Sequence, residues 1–368
     1  MLVSLLGLVL TAPAASALPL LVERFDAAEL SEGWKTRAAK GGGASASWAV
    51  EGGALVGRAE AKAKRFPTIY RRVELWEVAW IRVDVRRKAT GVAGTGTCDV
   101  YLKFDTLPAE PARPCAEAGD WAEASRFVAV PAGAREVEVG FALTGPGTVS
   151  FDDLVVEPVT PDWKRLTRGH FDYHWLGDDL LREEHLVANE EAYDRVLAFL
   201  ALDKAVDLAW WKYPDLQTVG QYTGESAEVV VRGDTVHTLR RANVPALVQV
   251  LARAWGDPPP LLAAGLGVHL AGEWDGKSAR QVARGLAGRG EAPTIAALLD
   301  PVAFAALPEA TRLPVAGAFV EWVVETKGQP ALRALYGALK AGADTRAPLE
   351  AALGVPLADA DTAFRAWL

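Results

Sequence analysis

The chain has 368 residues, 50% hydrophobic and 23% charged, a balance of folded globular domains rather than of disordered chains. That length exceeds what one hydrophobic core usually supports, so two domains are expected. A net charge of -8 and a pI near 5.3 speak against a nucleic-acid partner, because no basic stripe is present to neutralise phosphates, and Arg240-Arg241 reads as a solvated face.

Met1 to Leu10 forms an apolar run too short to span a bilayer, and Ala15-Ser16-Ala17 is a small-residue cleavage pattern. Residues 1–17 therefore read as a secretory signal peptide, and the mature protein as secreted or periplasmic. No Lys or Arg precedes the apolar run, so either the amino terminus alone supplies the positive end or the start lies upstream. No Cys follows the cleavage region, so no lipoprotein anchor is expected, and no later apolar stretch is long enough for a membrane span.

From Leu20 to Glu157 the pattern is strand after strand. Leu75 to Val85 is the clearest run, alternating from Trp80 onward, and similar period-two runs cover Cys98 to Phe104, Ser125 to Val130, Glu136 to Phe141 and Thr148 to Val156. Gly41-Gly42-Gly43 and Pro131-Ala132-Gly133 punctuate the gaps, which predicts an antiparallel, jelly-roll-like β-sandwich over residues 20–157. Cys98 and Cys115 are the two cysteines of the chain, and in an exported protein an even count favours a disulfide between them. Closing that loop would stabilise the sandwich by about 3 kcal/mol in the chain-entropy account.

The opening Phe25-Asp26 with Gly33-Trp34, and the closing strand Val149 to Val156, resemble carbohydrate-binding-module-like or galactose-binding-like domains. The resemblance implies that the last strand pairs near the first. It also makes Asp26 and Asp152 candidate ligands of a structural calcium, against the plainer reading of strand-end carboxylates that hold loop amides. Glycan binding would need aromatic platforms, for which Trp34, Trp48, Trp76, Trp80 and Trp121 are the candidates, most of them expected in the core.

Residues 158–162, with Pro158 and Pro161, read as a short stiff linker. Beyond it, His170 to Trp175 predicts a strand in which residues 170, 172 and 174 share one face. A long helix follows, ending near Phe199-Leu200, then a strand from Val206 to Trp211. Val236-His237-Thr238-Leu239 is expected as a sheet edge.

The informative stretch is Val244 to Glu273, where two apolar helical segments flank Pro258-Pro259-Pro260. Its layout resembles the gluzincin, or peptidase MA-like, peptidases of the thermolysin and aminopeptidase type. In that family one helix carries H-E-x-x-H and a second supplies a glutamate in an E-G-L-A-x-Y-L context. With the register set on Val250-Leu251 and Gly265-Leu266, Pro245 falls on the first histidine, Ala246 on the catalytic glutamate, Gln249 on the second histidine and Ala264 on the ligand glutamate. A catalytic zinc needs two imidazoles and a carboxylate here, and Pro, Ala and an amide do not supply them. His269 lies about 140° around its helix from Ala264 and faces elsewhere. The resemblance covers residues 163–368 and includes Gly317 to Val324 and Ala351 to Leu357, which look like the helical subdomain that closes many bacterial members.

A multidomain, exported pseudopeptidase is the resulting expectation: an all-β sandwich, then an α+β, mainly helical, catalytically degenerate domain without zinc or catalytic residues. His237 and Gln249 are expected to line a residual groove for a peptide or protein ligand. Two alternatives stand beside it, a glycan-binding protein acting through the sandwich and an active hydrolase with an unrecognised site. No G-x-S-x-G, P-loop or Rossmann fingerprint is present to strengthen the latter.

Overall fold

A computed structural model describes residues 18–37, 46–60, 68–92, 97–106, 118–177, 181–339 and 345–368. Two compact units result: Met1–Pro161 with Gly220–Gly224, and Asp162–Val219 with Glu225–Leu368. The expected signal peptide lies outside the described residues. So does the expected disulfide, since Cys115 is not described and Cys98 is described in its backbone alone.

The first unit contains β1 (Leu21–Glu23), β2 (Lys35–Arg37), β3 (Ala46–Glu51), β4 (Ala54–Ala59), β5 (Thr68–Glu74), β6 (Trp80–Thr90), β7 (Thr97–Phe104), β8 (Ala118–Ala129), β9 (Glu136–Thr144) and β10 (Gly147–Pro158). One sheet has the order β3-β4-β10-β6-β8 with β1 also paired to β10; the other has the order β2-β5-β9-β7, and all pairs are antiparallel. Closure of the last strand on the first is direct, with Leu21 opposite Val156. Gly52 and Gly53, both at positive φ, form the two-residue β3–β4 turn, where the right-handed strand twist favours such backbone.

Alternation supplies the core. Val83, Val85, Val149 and Phe151 from one sheet join Ile69, Val139, Phe141 and Leu102 from the other in one buried cluster. Phe141 and Phe151 meet at 4.3 Å between ring centroids, and Trp34 and Trp48 pack against the same Phe141. Trp48 lies flat over Gly57, where a Cβ would stand 2.5 Å from the ring. The run expected as one strand from Leu75 is corrected: strand geometry starts at Trp80, and Leu75 to Ala79 form a bend with Glu77 at φ 52. The period-two signal began at Trp80 for that reason.

The second unit contains β11 (Trp163–Arg168), β12 (Phe171–Leu176), α1 (Glu183–Leu200), β13 (Leu208–Lys212), the first half of α2 (Leu216–Thr223), β14 (Val229–Arg232), β15 (Thr235–Thr238), α3 (Val244–Leu251), α4 (Pro260–Ala271), α5 (Ala279–Gly288), α6 (Ile295–Leu299), α7 (Pro301–Ala306), α8 (Glu309–Lys327), α9 (Gln329–Ala338), α10 (Arg346–Leu353) and α11 (Leu357–Trp367). Its sheet runs β11-β12-β13-β15-β14; β12, β13 and β15 are parallel, and β11 and β14 run against their neighbours. The expected edge strand is corrected: β15 is flanked on both sides, and β14 is the edge. Helix α4 crosses α8 closely, because Gly265 and Gly317 leave room where a Cβ would meet the Ala316 carbonyl at 2.5 Å and the Val268 side chain at 2.6 Å.

Phe141 touches Phe25, Trp34, Trp48 and Phe151 and is fully buried, so Phe141→Ala leaves a cavity at the centre of the sandwich. A loss of about 3–5 kcal/mol is expected, measured by urea unfolding of the purified protein.

Candidate functional site

The second unit was expected to carry the degenerate centre. Helix α3 is capped by Asn243, whose side-chain oxygen accepts from the Ala246 N–H at 3.1 Å, and Pro245 occupies its first turn. Pro245 and Gln249, one turn apart, are exposed, and Ala264 on α4 is half-buried. Ala246 is 1% exposed and belongs to the core with Leu247 and Leu251. The four positions therefore do not share one open surface, and a carboxylate at 246 would be buried.

Position 267 adds to this, since a Cβ on Gly267 would lie 3.1 Å from Pro245, so α3 and α4 nearly touch at the proline. Among the described residues no group of three or more His, Cys, Asp or Glu converges as a metal site.

The expected groove between His237 and Gln249 is also corrected. Val236 packs in the helix-side core, so its neighbour His237 points to the other face of the sheet. There it shares a 2.8 Å hydrogen bond with the Tyr213 hydroxyl and lies near Trp211. His174 stacks on Trp211 at 4.0 Å and bonds Asp172, whereas His170 precedes β12 and stacks on Tyr193 of α1. Residues 170 and 174 thus do not share a face, because the strand starts one residue later than its aromatic pattern suggested. His269 is partly buried against Phe199.

In the sandwich, Asp152 precedes a bulge in the β10–β6 ladder, with Asp153 at φ 49. The Arg86 guanidinium stands 3.8 Å from Asp152 and 3.2 Å from Asp153. Burial, then the charges of Asp153 and Asp26, push the Asp152 carboxyl up, against the pull of Arg86 and the Asp153 N–H. Of the two expected calcium ligands, Asp152 thus faces a cation already in place.

The outer face of the four-stranded sheet brings the most chemistry together. Ile69 and Val73 point inward from β5, so Tyr70, Arg72 and Glu74 point outward; on β9 Val137, Val139 and Phe141 point inward, and Glu136, Glu138 and Gly140 outward. Across the sheet, Tyr70 and Tyr101 flank Gly140, and Arg72 and Lys103 flank Glu138. A Cβ at position 140 would stand 2.5 Å from the Tyr101 ring and 2.7 Å from the Ile69 carbonyl, so only glycine lets that ring lie across the strand.

Charge is fixed there as firmly as the rings. The Glu138 side chain is 5% exposed, and Arg37 donates to both of its oxygens, at 3.2 and 2.9 Å. Arg72 stands 3.3 Å from Glu138 and 3.3 Å from Glu136. Arg37 also stacks over Tyr70 at 4.5 Å, and its hydrogen bond to Glu138 raises its already high pKa. Burial pushes the Tyr101 phenol up. Both arginine side chains keep about half of their surface in water, 46% for Arg37 and 51% for Arg72.

Sequence reasoning named Trp76, which stands 77% exposed in the bend after β5, but not Tyr70, Arg37 or Arg72. Trp34 and Trp48 are core residues, Trp80 is half-buried in β6, and Trp121 holds a cation–π contact with Arg86 at 5.2 Å on the other sheet. The usable signal was the alternation Ile69-Tyr70-Arg71-Arg72-Val73 opposite a strand glycine. A shallow depression of about 510 Å³ beside Ser47, Arg58, Glu60 and Thr148 has no aromatic in its lining.

No family model matches the chain, and no curated protein is similar to it at a significant level. Several of the solved structures similar to its N-terminal part are carbohydrate-binding modules. A CBM4 structure is 18% identical over 32% of this chain and 79% of its own, with a TM-score of 0.26. The xylan-binding domain CBM22-1 of Paenibacillus barcinonensis Xyn10C is 12% identical over 40% and 99%, with a TM-score of 0.29. A module for mannan recognition, TmCBM27, is 16% identical over 40% and 100%, with a TM-score of 0.28. Likeness at this level carries no function to this chain, which rests on its own residues.

Burial first, then the charge of Arg232, holds the His237 imidazole down at about 4, against 6.5 for the ordinary group. Between those values the unfolded chain binds a proton that the folded chain does not, so the stability is complete above about 6.5 and is lost as the pH falls towards 4. Urea midpoints measured across that window are expected to fall in the parent and to flatten in His237→Gln.

Proposed function

We propose that this protein binds a carbohydrate polymer on the outer face of the β2-β5-β9-β7 sheet. The observation that carries the reading is the Tyr70–Gly140–Tyr101 row beside the Arg37–Glu138–Arg72 cluster. Sugar rings offer apolar C–H faces that stack on aromatic rings, and their hydroxyls need donors and acceptors already held in place. Tyr70 supplies a partly exposed ring; Arg37 and Arg72, fixed by Glu138, supply planar donors that need no reorganisation. An exported chain, as residues 1–17 suggest, would meet such polymers outside the cytoplasm. The activity is recognition, without catalysis or a cofactor.

Affinity electrophoresis against a panel of xylans, mannans and glucans is expected to retard the parent with at least one of them. Tyr70→Ala and Arg72→Ala should each weaken that binding about tenfold, the worth of one stacking or charge-assisted contact, while the near-UV circular dichroism stays unchanged. No retardation by any polymer would overturn the reading.

A second reading concerns the other unit, as a gluzincin-like scaffold that binds peptide without cleaving it. The observation in its favour is β14, an edge strand paired only to β15 among the described residues, whose free side offers a ladder to an extended peptide. With Pro245, Ala246, Gln249 and Ala264 in the ligand positions, elemental analysis of the purified protein is expected to give no stoichiometric zinc. One tightly held zinc per chain with chelator-sensitive peptidase activity would refute it.

A further inference from the structure

Tyr70, Arg72 and Glu74 occupy alternate positions of β5 and share its outer side. Beyond the strand, Leu75 turns into the core, its N–H bonded to the Arg135 carbonyl at 2.8 Å, and Trp76 emerges with 77% of its surface in water. The indole N–H donates to Glu74 Oε2 at 3.2 Å, which sets the ring beside the outer-face carboxylate. Glu77 follows at φ 52, a left-handed conformation that a residue with a Cβ adopts rarely, so the bend holding Trp76 outward is strained.

An exposed tryptophan is costly in water, and this one is held by its hydrogen bond beside Glu74, the last outward residue of β5. From Tyr70 to Glu74 the strand covers about 13 Å, and Trp76 carries the line further, a length that one sugar ring does not bridge. Between the two aromatics stand a donor, Arg72, and two acceptors, Glu74 and Glu136, the last paired with Arg72 and opposite Glu74 in register. Alternating aromatic, cation and anion suits a hydroxyl-rich chain, whereas an apolar segment would leave these charges without water or partner.

We infer that Trp76 is a second stacking platform at the far end of the β5 track, so that the face holds an extended internal segment of a linear polysaccharide rather than a single sugar. This inference rests on the carbohydrate reading of the same face. Tyr70 and Trp76 grip sugar units apart along the polymer, and Arg72 with Glu74 satisfies hydroxyls between them. Affinity then grows with oligosaccharide length, because a short ligand cannot reach both rings at once.

Isothermal titration with xylo-, manno- and cello-oligosaccharides from disaccharide to hexasaccharide tests this on the whole protein. In the series that binds, the hexasaccharide is expected to bind the parent about tenfold more tightly than the disaccharide. Trp76→Ala should erase that gain, and Trp76→Phe should restore part of it. Equal hexasaccharide binding by Trp76→Ala and the parent, or affinity independent of length, overturns the inference; the carbohydrate reading survives if Tyr70→Ala still weakens binding. Absence of binding by every oligosaccharide and polymer overturns both.

Discussion

A carboxylate almost removed from water needs cations and donors in place of its solvent, and Glu138 has two arginines there. One of them, Arg37, comes from β2, the outermost strand of its sheet, and reaches over Tyr70 of β5 to the carboxylate on β9. That reach ties a three-residue edge strand to the middle of the sheet. The same contact fixes the guanidinium planes and covers the Tyr70 ring from one side, so the charged and aromatic parts of the face are set by one interaction.

Gly140 provides the complementary constraint. The Tyr101 ring lies where any side chain at position 140 would be, and Tyr101 is only 6% exposed, so the ring covers the strand at that point rather than standing out from it.

The sandwich was legible in the sequence because its strands are amphipathic: Trp80 onward, Glu136 to Phe141 and Thr148 to Val156 alternate, and the structure places strands over each. The outer face of the β2-β5-β9-β7 sheet was not legible, since Tyr70, Arg37 and Glu138 stand far apart in the chain and only strand pairing unites them. In the second unit, spacing found the helices around Val244 and Leu261 but not their rotation. In the motif Ala246 falls on the catalytic glutamate; in the structure the run Ala246-Leu247-Val248 is buried throughout, and three consecutive apolar residues on a helix cannot indicate which one faces a cleft. Likewise the short strand around His237 alternates too briefly to reveal that it lies inside the sheet.

Strand β10 is the last of the sandwich to be synthesised, yet it lies in the middle of its sheet, paired to β1, β4 and β6. Until Pro158 has left the ribosome, β4 and β6 have no shared partner, and Leu21 waits for Val156 across nearly the whole length of the unit. Contacts so distant in sequence make closure slow. Until its central strand arrives, the nascent sandwich therefore keeps the β10-facing sides of β4 and β6 unpaired, bare strand edges of the kind on which other chains pair.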